Sequence, residues 1–140
     1  MANKNYLIKN LGDYVSLFKN INLCFNNRTV IFLKGELGSG KTTFVQNYLK
    51  YKYAFTNTTS PTFGIVNTYS ISQIMIYHYD LYRITKPEEL NDIGLYDNLE
   101  ANALHFIEWP EIIPKQICTP NIIINFQSLF KERIISINII

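Results

Sequence analysis

Two cysteines, Cys24 and Cys118, are all the thiol chemistry the chain offers, and their separation matches no metal-ligand spacing. A disulfide framework is therefore excluded as the source of stability, and two reduced structural thiols are expected. An excess of charge is missing too. Thirteen Lys and Arg against 11 Asp and Glu leave +2, too little to mark a nucleic-acid surface by itself. No apolar run approaches the ~20 residues of a membrane span, and Met1-Ala2-Asn3-Lys4 lacks a signal-peptide core. A soluble, cytoplasmic protein without membrane contact is the expectation. Internal repeats, linkers and low-complexity tails are also absent. What is present excludes disorder: 140 residues, 47% hydrophobic and 14% aromatic, fit one domain over residues 1–140.

The chemistry concentrates in one stretch. Residues 30–33 are an apolar, largely β-branched run, and Gly35-Glu36-Leu37-Gly38-Ser39-Gly40-Lys41-Thr42 follows it as G-x-x-x-x-G-K-[ST]. Beyond Thr43, Phe44, Val45, Tyr48 and Leu49 share one helical face, with Lys50 and Lys52 near the helix end. Strand, glycine-rich loop and helix form the arrangement that phosphate binding needs. Glycines let successive backbone N–H groups turn inward, and the helix N-terminus adds positive potential. Lys41 is then expected to reach the β- and γ-phosphates, and the Thr42 hydroxyl to ligate Mg²⁺. An ordinary glycine-rich turn explains neither residue.

Upstream, residues 5–8 read as a short edge strand. Asn10 offers an N-cap to a helix whose apolar positions run Leu11, Tyr14, Val15, Phe18, Ile21 and Phe25, with Asn26-Asn27 as its stop. Downstream, residues 56–63 form a polar loop containing Pro61, at the position where switch loops turn back toward a γ-phosphate. Thr62 is the hydroxyl expected to sense that phosphate or its metal; a solvated Ser/Thr loop is the plainer alternative. Residues 63–71 alternate as a strand, Ser72-Gln73 can turn, and residues 74–82 form a second strand carrying His78 and Asp80 on one face. A carboxylate on a partly apolar face needs a partner, so Asp80 reads as a metal-shell ligand or a water-positioning base. His78 is equally readable as a structural histidine.

Thr85-Lys86-Pro87-Glu88 reads as a capping box with proline in the first turn of a helix that Gly94 interrupts, and a second short helix runs through Leu99. Residues 104–107 then lead to Glu108, as in the acidic strand of P-loop ATPases, with Pro110 expected to hold Trp109 extended. Trp109 reads as a core aromatic, a cover for nucleotide or part of a partner surface. A short helix is expected over residues 111–117, then strands over 121–126 and 134–139 joined through 128–133. The fold class is α/β: a single P-loop NTPase-like domain with a mixed, mainly parallel sheet flanked by helices, and antiparallel hairpins.

Four motifs in this order resemble the TsaE family of bacterial P-loop ATPases. They are residues 35–43, then Ser60-Pro61-Thr62-Phe63, then His78-Tyr79-Asp80-Leu81-Tyr82-Arg83, and Ile107-Glu108-Trp109-Pro110-Glu111. The resemblance covers nearly the whole chain. It implies Mg²⁺-dependent binding and slow hydrolysis of ATP in support of tRNA adenosine threonylcarbamoylation. It also implies docking on a TsaB–TsaD-like heterodimer, with tRNA met only through that complex and the transfer chemistry left to TsaD. By position, Gly35, Glu36, Leu37, Gly38, Ser39, Gly40 and Lys41 would bind phosphate, and Thr42 and Glu108 would hold Mg²⁺. Thr43 would contact the α-phosphate side, with Asp80 and Trp109 completing the site, Thr62 in the switch-like loop and Arg133 as a nucleotide neighbour. Lys41, Asp80 and Glu108 are the expected catalytic residues. A threonine that family members often carry before the first helix is not evident, since Ile8 and Asn10 stand there.

Rival classes lack their signatures. No Asn-Lys-x-Asp element exists to read guanine, and three arginines, Arg28, Arg83 and Arg133, are few for a kinase lid. A regulatory binding module, with ATP as a switch and turnover incidental, is the remaining alternative.

Overall fold

The computed structural model of the chain describes residues 2–21, 27–61 and 65–140. Cys24, Phe25, Asn26, Thr62 and Phe63 therefore lie outside the described residues. Seven strands form one sheet: β1 (Ala2–Ile8), β2 (Thr29–Gly35), β3 (Val66–Ile71), β4 (Ile74–Asp80), β5 (Leu104–Glu108), β6 (Ile122–Leu129) and β7 (Glu132–Ile139), in the order β1-β7-β6-β2-β5-β4-β3. The central strands β6, β2, β5 and β4 run parallel, and β7, β1 and β3 add antiparallel pairings at the flanks. This is the mixed α/β sheet that the sequence implied.

Burial on both faces explains why β2 and β5 read as continuous apolar runs. Ile31 and Leu33 of β2, with Leu104 and Phe106 of β5, face one core, into which helices α1 (Gly12–Asn20) and α2 (Lys41–Tyr53) pack Tyr14, Leu17, Phe18, Phe44, Tyr48 and Leu49. Val30, Phe32, Tyr79 and Ile107 face the other core. There the short helices α3 (Glu89–Asp92) and α4 (Leu95–Leu99) contribute Leu90, Leu95 and Leu99. Each large side chain so buried is worth about 1.5–3 kcal/mol over exposure. His78 and Asp80 follow Ile76 at two-residue spacing on β4, and Glu108 follows Phe106 on β5, so all three project toward the α2 side of the sheet.

Local chemistry sets several boundaries. Asn10 does cap α1: its Oδ1 accepts from the Asp13 N–H at 3.2 Å while Asp13 Oδ2 accepts from the Asn10 N–H at 3.2 Å, a reciprocal box. The helix ends at Asn20, earlier than its apolar spacing suggested, because Ile21 turns extended (ψ 134). Ser72 and Gln73 both take positive φ (50° and 66°), the mirror-image turn that matches strand twist in a tight hairpin. At α3 the capping acid is Glu89 instead of Glu88. Its Oε1 accepts from Thr85 Oγ1 at 2.9 Å and from the Lys86 N–H at 3.2 Å, and the helix itself begins only at Glu89, later than the motif implied.

Two expectations fail near residue 110. Trp109 is left-handed (φ 58°, ψ 54°) and not extended, because the chain turns directly from β5 into a single 3-10 turn at Pro110–Ile112. The helix expected over 111–117 is absent, since Pro114 interrupts it and Ile113 is extended (ψ 123). The last hairpin turns at Phe130-Lys131 (Lys131 φ 61°), so β6 and β7 are longer than the alternation indicated.

Candidate functional site

The loop between β2 and α2 closes at the C-terminal edge of the parallel strands, where α/β sheets bind ligands. Glycine is required there. Gly40 sits at φ 106°, and a Cβ on it would strike the Arg133 guanidinium. A Cβ on Gly35 would come within 2.6 Å of Ser39 Oγ and 2.7 Å of the Phe126 carbonyl oxygen. The loop thus folds around the Lys41 ammonium, which donates to the Gly35 and Glu36 carbonyls at 2.6 and 2.8 Å and to Ser39 Oγ at 3.4 Å. The indole of Trp109 covers the same ammonium, 4.5 Å from ring centroid to Nζ, and Tyr82 leans on the indole at 4.9 Å. The left-handed backbone of Trp109 is what turns the ring back over the loop. Burial lowers the Lys41 pKa, and the nearby carboxylates, Glu108 first, oppose that.

Glu108 is 3% exposed, and a carboxylate so placed needs partners. Thr42 Oγ1 donates to its two oxygens at 3.0 Å each, and His78 Nε2 lies 2.7 Å from Oε2. The parallel register aligns Leu33 with Glu108 and Glu108 with Asp80, so both acids stand beside the loop. Asp80 is half-buried and accepts from the Tyr82 N–H at 3.1 Å. Burial raises its pKa, and the Tyr82 hydrogen bond opposes the shift.

A cavity of about 270 Å³ brings these residues together. Leu37, Gly38, Ser39, Gly40, Lys41, Thr42 and Thr43 line it along the loop, and Ser60, Asp80, Glu108, Trp109 and Arg133 close it. Thr43 and Arg133 also line an adjoining cavity of about 390 Å³, between residues 8–11 and the β6–β7 hairpin. Thr62 lies outside the described residues, while Ser60 of the same loop reaches the site. His78 is the participant that sequence reasoning left undecided. Its spacing from Asp80 on an alternating strand was the available signal.

A family model described as "Threonylcarbamoyl adenosine biosynthesis protein TsaE" matches residues 8–135. The chain belongs to the TsaE family. A relative from Rickettsia bellii, named tRNA threonylcarbamoyladenosine biosynthesis protein TsaE, is 36% identical over 135 residues, 95% of this chain and 92% of the relative. One of the same name from Rickettsia conorii is 42% identical over 102 residues, 71% of this chain but 57% of the relative. The match to the Rickettsia felis relative likewise spans 61% of that protein. A crystal structure of YdiB from Bacillus subtilis superposes with a TM-score of 0.68, covering 97% of this chain and 84% of that one at 21% identity. That likeness supports the fold alone. In this TsaE-family chain no helix among the described residues is long and apolar enough to cross a membrane.

The donors at the site fit a phosphate chain and a hard cation. Lys41 and the inward-folded loop suit phosphate oxygens, and a hydroxyl beside one carboxylate suits Mg²⁺, which takes few protein ligands and keeps several waters. Among the described residues no three His, Cys, Asp or Glu side chains gather as a dedicated metal cage.

Proposed function

We propose that the chain is a Mg²⁺-dependent ATPase, slow when alone, whose nucleotide cycle serves threonylcarbamoylation of tRNA adenosine through a TsaB–TsaD-like heterodimer in the cytoplasm. The observation that carries this reading is the convergence of Lys41, Thr42, Asp80 and Glu108 on one cavity at the sheet's C-terminal edge. Lys41 exchanges its loop carbonyls for phosphate oxygens, and the backbone of residues 35–40 cradles the chain of phosphates. Thr42 and Glu108 would hold Mg²⁺, which when bound would supply neutralisation of phosphate charge. Asp80 orients the attacking water, with Thr62 of the switch-like loop sensing the γ-phosphate. Trp109 covers the site once Lys41 has swung to the phosphates. Thr43 takes the α-phosphate side, and the base lies in the adjoining cavity, where Arg133 and Tyr14 meet the nucleoside.

The test is multiple-turnover hydrolysis of ATP and GTP with and without the purified heterodimer. Turnover that prefers ATP and rises with the partner supports the reading. Tight ATP binding with no turnover in either condition would favour the regulatory binding module instead.

A further inference from the structure

The buried pair of His78 and Glu108 has no counterpart in the roles assigned so far. His78 is 1% exposed and lines neither the phosphate cavity nor its neighbour. Its imidazole meets the Glu108 carboxylate on Oε2, at 2.7 Å, an oxygen that also accepts from the Thr42 hydroxyl at 3.0 Å. The contact is diagonal, two residues off the register pair, because β4 aligns His78 with Phe106 and Asp80 with Glu108. Without it, Glu108 would keep only the Thr42 hydroxyl, a group that Mg²⁺ itself must engage. A ligating carboxylate is normally aimed by a second hydrogen bond of this kind.

We propose that His78 is the positioning residue for Glu108: its Nε2–H donates to Oε2 and fixes the carboxylate beside Thr42, ready for the cation, without touching nucleotide. The inference rests on the reading that Thr42 and Glu108 hold Mg²⁺. It gives the strand pattern His78-Tyr79-Asp80 a division of labour, with Asp80 facing the cavity and His78 serving the neighbouring strand's acid. The bond alone suffices for this role.

The experiment compares two amides that differ in reach. The Gln side chain places its N–H near the His Nε2 position, whereas Asn is too short to reach Oε2. ATP binding is followed by the fluorescence of Trp109, the chain's single tryptophan, against Mg²⁺ concentration and again in EDTA. His78→Asn should raise the Mg²⁺ needed for half-maximal binding about tenfold while leaving affinity in EDTA within about twofold. His78→Gln should return the Mg²⁺ midpoint to within about threefold of the parent. In a Glu108→Gln background, His78→Asn should add nothing further. Equal midpoints for His78→Asn and the parent would overturn the proposal, as would additive shifts in the double variant. An equal loss of melting temperature in both amide variants with no Mg²⁺ shift would reduce His78 to a packing residue. If Glu108→Gln itself leaves the Mg²⁺ midpoint unmoved, the metal reading of Glu108 falls and takes this inference with it. If Glu108→Gln moves it and His78→Asn does not, the inference alone falls.

Discussion

Asp80 and Glu108 are register neighbours on β4 and β5, yet their surroundings differ. Glu108 is buried against His78 and Thr42, while Asp80 is half-buried at the cavity wall with one backbone donor. Removing each should therefore produce a different defect. Glu108→Ala is expected to raise the Mg²⁺ requirement for ATP binding, and Asp80→Ala to lower single-turnover hydrolysis with ATP still bound. Binding isotherms against Mg²⁺ beside single-turnover rates decide it, and a Mg²⁺ defect in Asp80→Ala alone would reverse the roles. A second residue prediction concerns His105, whose pKa burial pushes down to about 4, Arg28 adding to the shift and the Ala101 hydrogen bond opposing it. Its ring stacks on Tyr77 at 5.3 Å and 6°. The folded value lies below the unfolded one of about 6.5, so this stability is intact above that pH and is lost as pH falls toward about 4. The full loss is about 3 kcal/mol. His105→Phe keeps the stacking and should flatten the decline in urea unfolding free energy between about pH 7 and pH 4.5. Parallel pH curves for the two proteins would exclude His105 as the source.

At the scale of elements, two glycines separate backbone strain from site geometry. Gly94 is left-handed (φ 75°) at the start of α4, and a Cβ there would meet only Asn98 Nδ2, at 3.8 Å. Gly94→Ala should cost about 1 kcal/mol of unfolding free energy and leave ATP affinity unchanged. Gly40→Ala combines positive φ with a collision against Arg133, so it should also weaken ATP binding by at least about tenfold. Chemical unfolding and ATP titration of both variants test the contrast, and equal ATP affinities would remove Gly40 from the phosphate cradle. The same scale shows where the sequence was readable. β2, α2 and β5 were legible because burial on both strand faces leaves an apolar run, and helix burial leaves a 3.6-residue stripe. Glu88 and Glu89 were not separable by pattern, since either can satisfy a capping box and only tertiary placement chooses. The left-handed turn at Trp109 also left no local trace. Proline disfavours the right-handed helical region for the residue before it, but the choice between extended and left-handed is made by the ring's position over Lys41.

For the whole molecule, the parallel centre of the sheet gathers the site, and the antiparallel flanks finish it. Val30 to Leu33 and residues 104–107 bring the loop and Glu108 to one edge, while β7 swings Arg133 back beside Gly40. The sequence motifs located the loop and both acids. They did not show that His78 lies behind Glu108, because that contact depends on the register between β4 and β5. The adjoining cavity was similarly hidden, being assembled from residues 8–11 and the distant hairpin. The most direct test of the account is ATP binding by calorimetry, in Mg²⁺ and in EDTA, for the parent chain and Lys41→Ala. Mg²⁺-enhanced binding that weakens about 10- to 100-fold in the variant, with melting temperature retained, is the predicted result. Equal ATP affinity in parent and variant, or no binding by the parent at millimolar ATP with Mg²⁺, would contradict it.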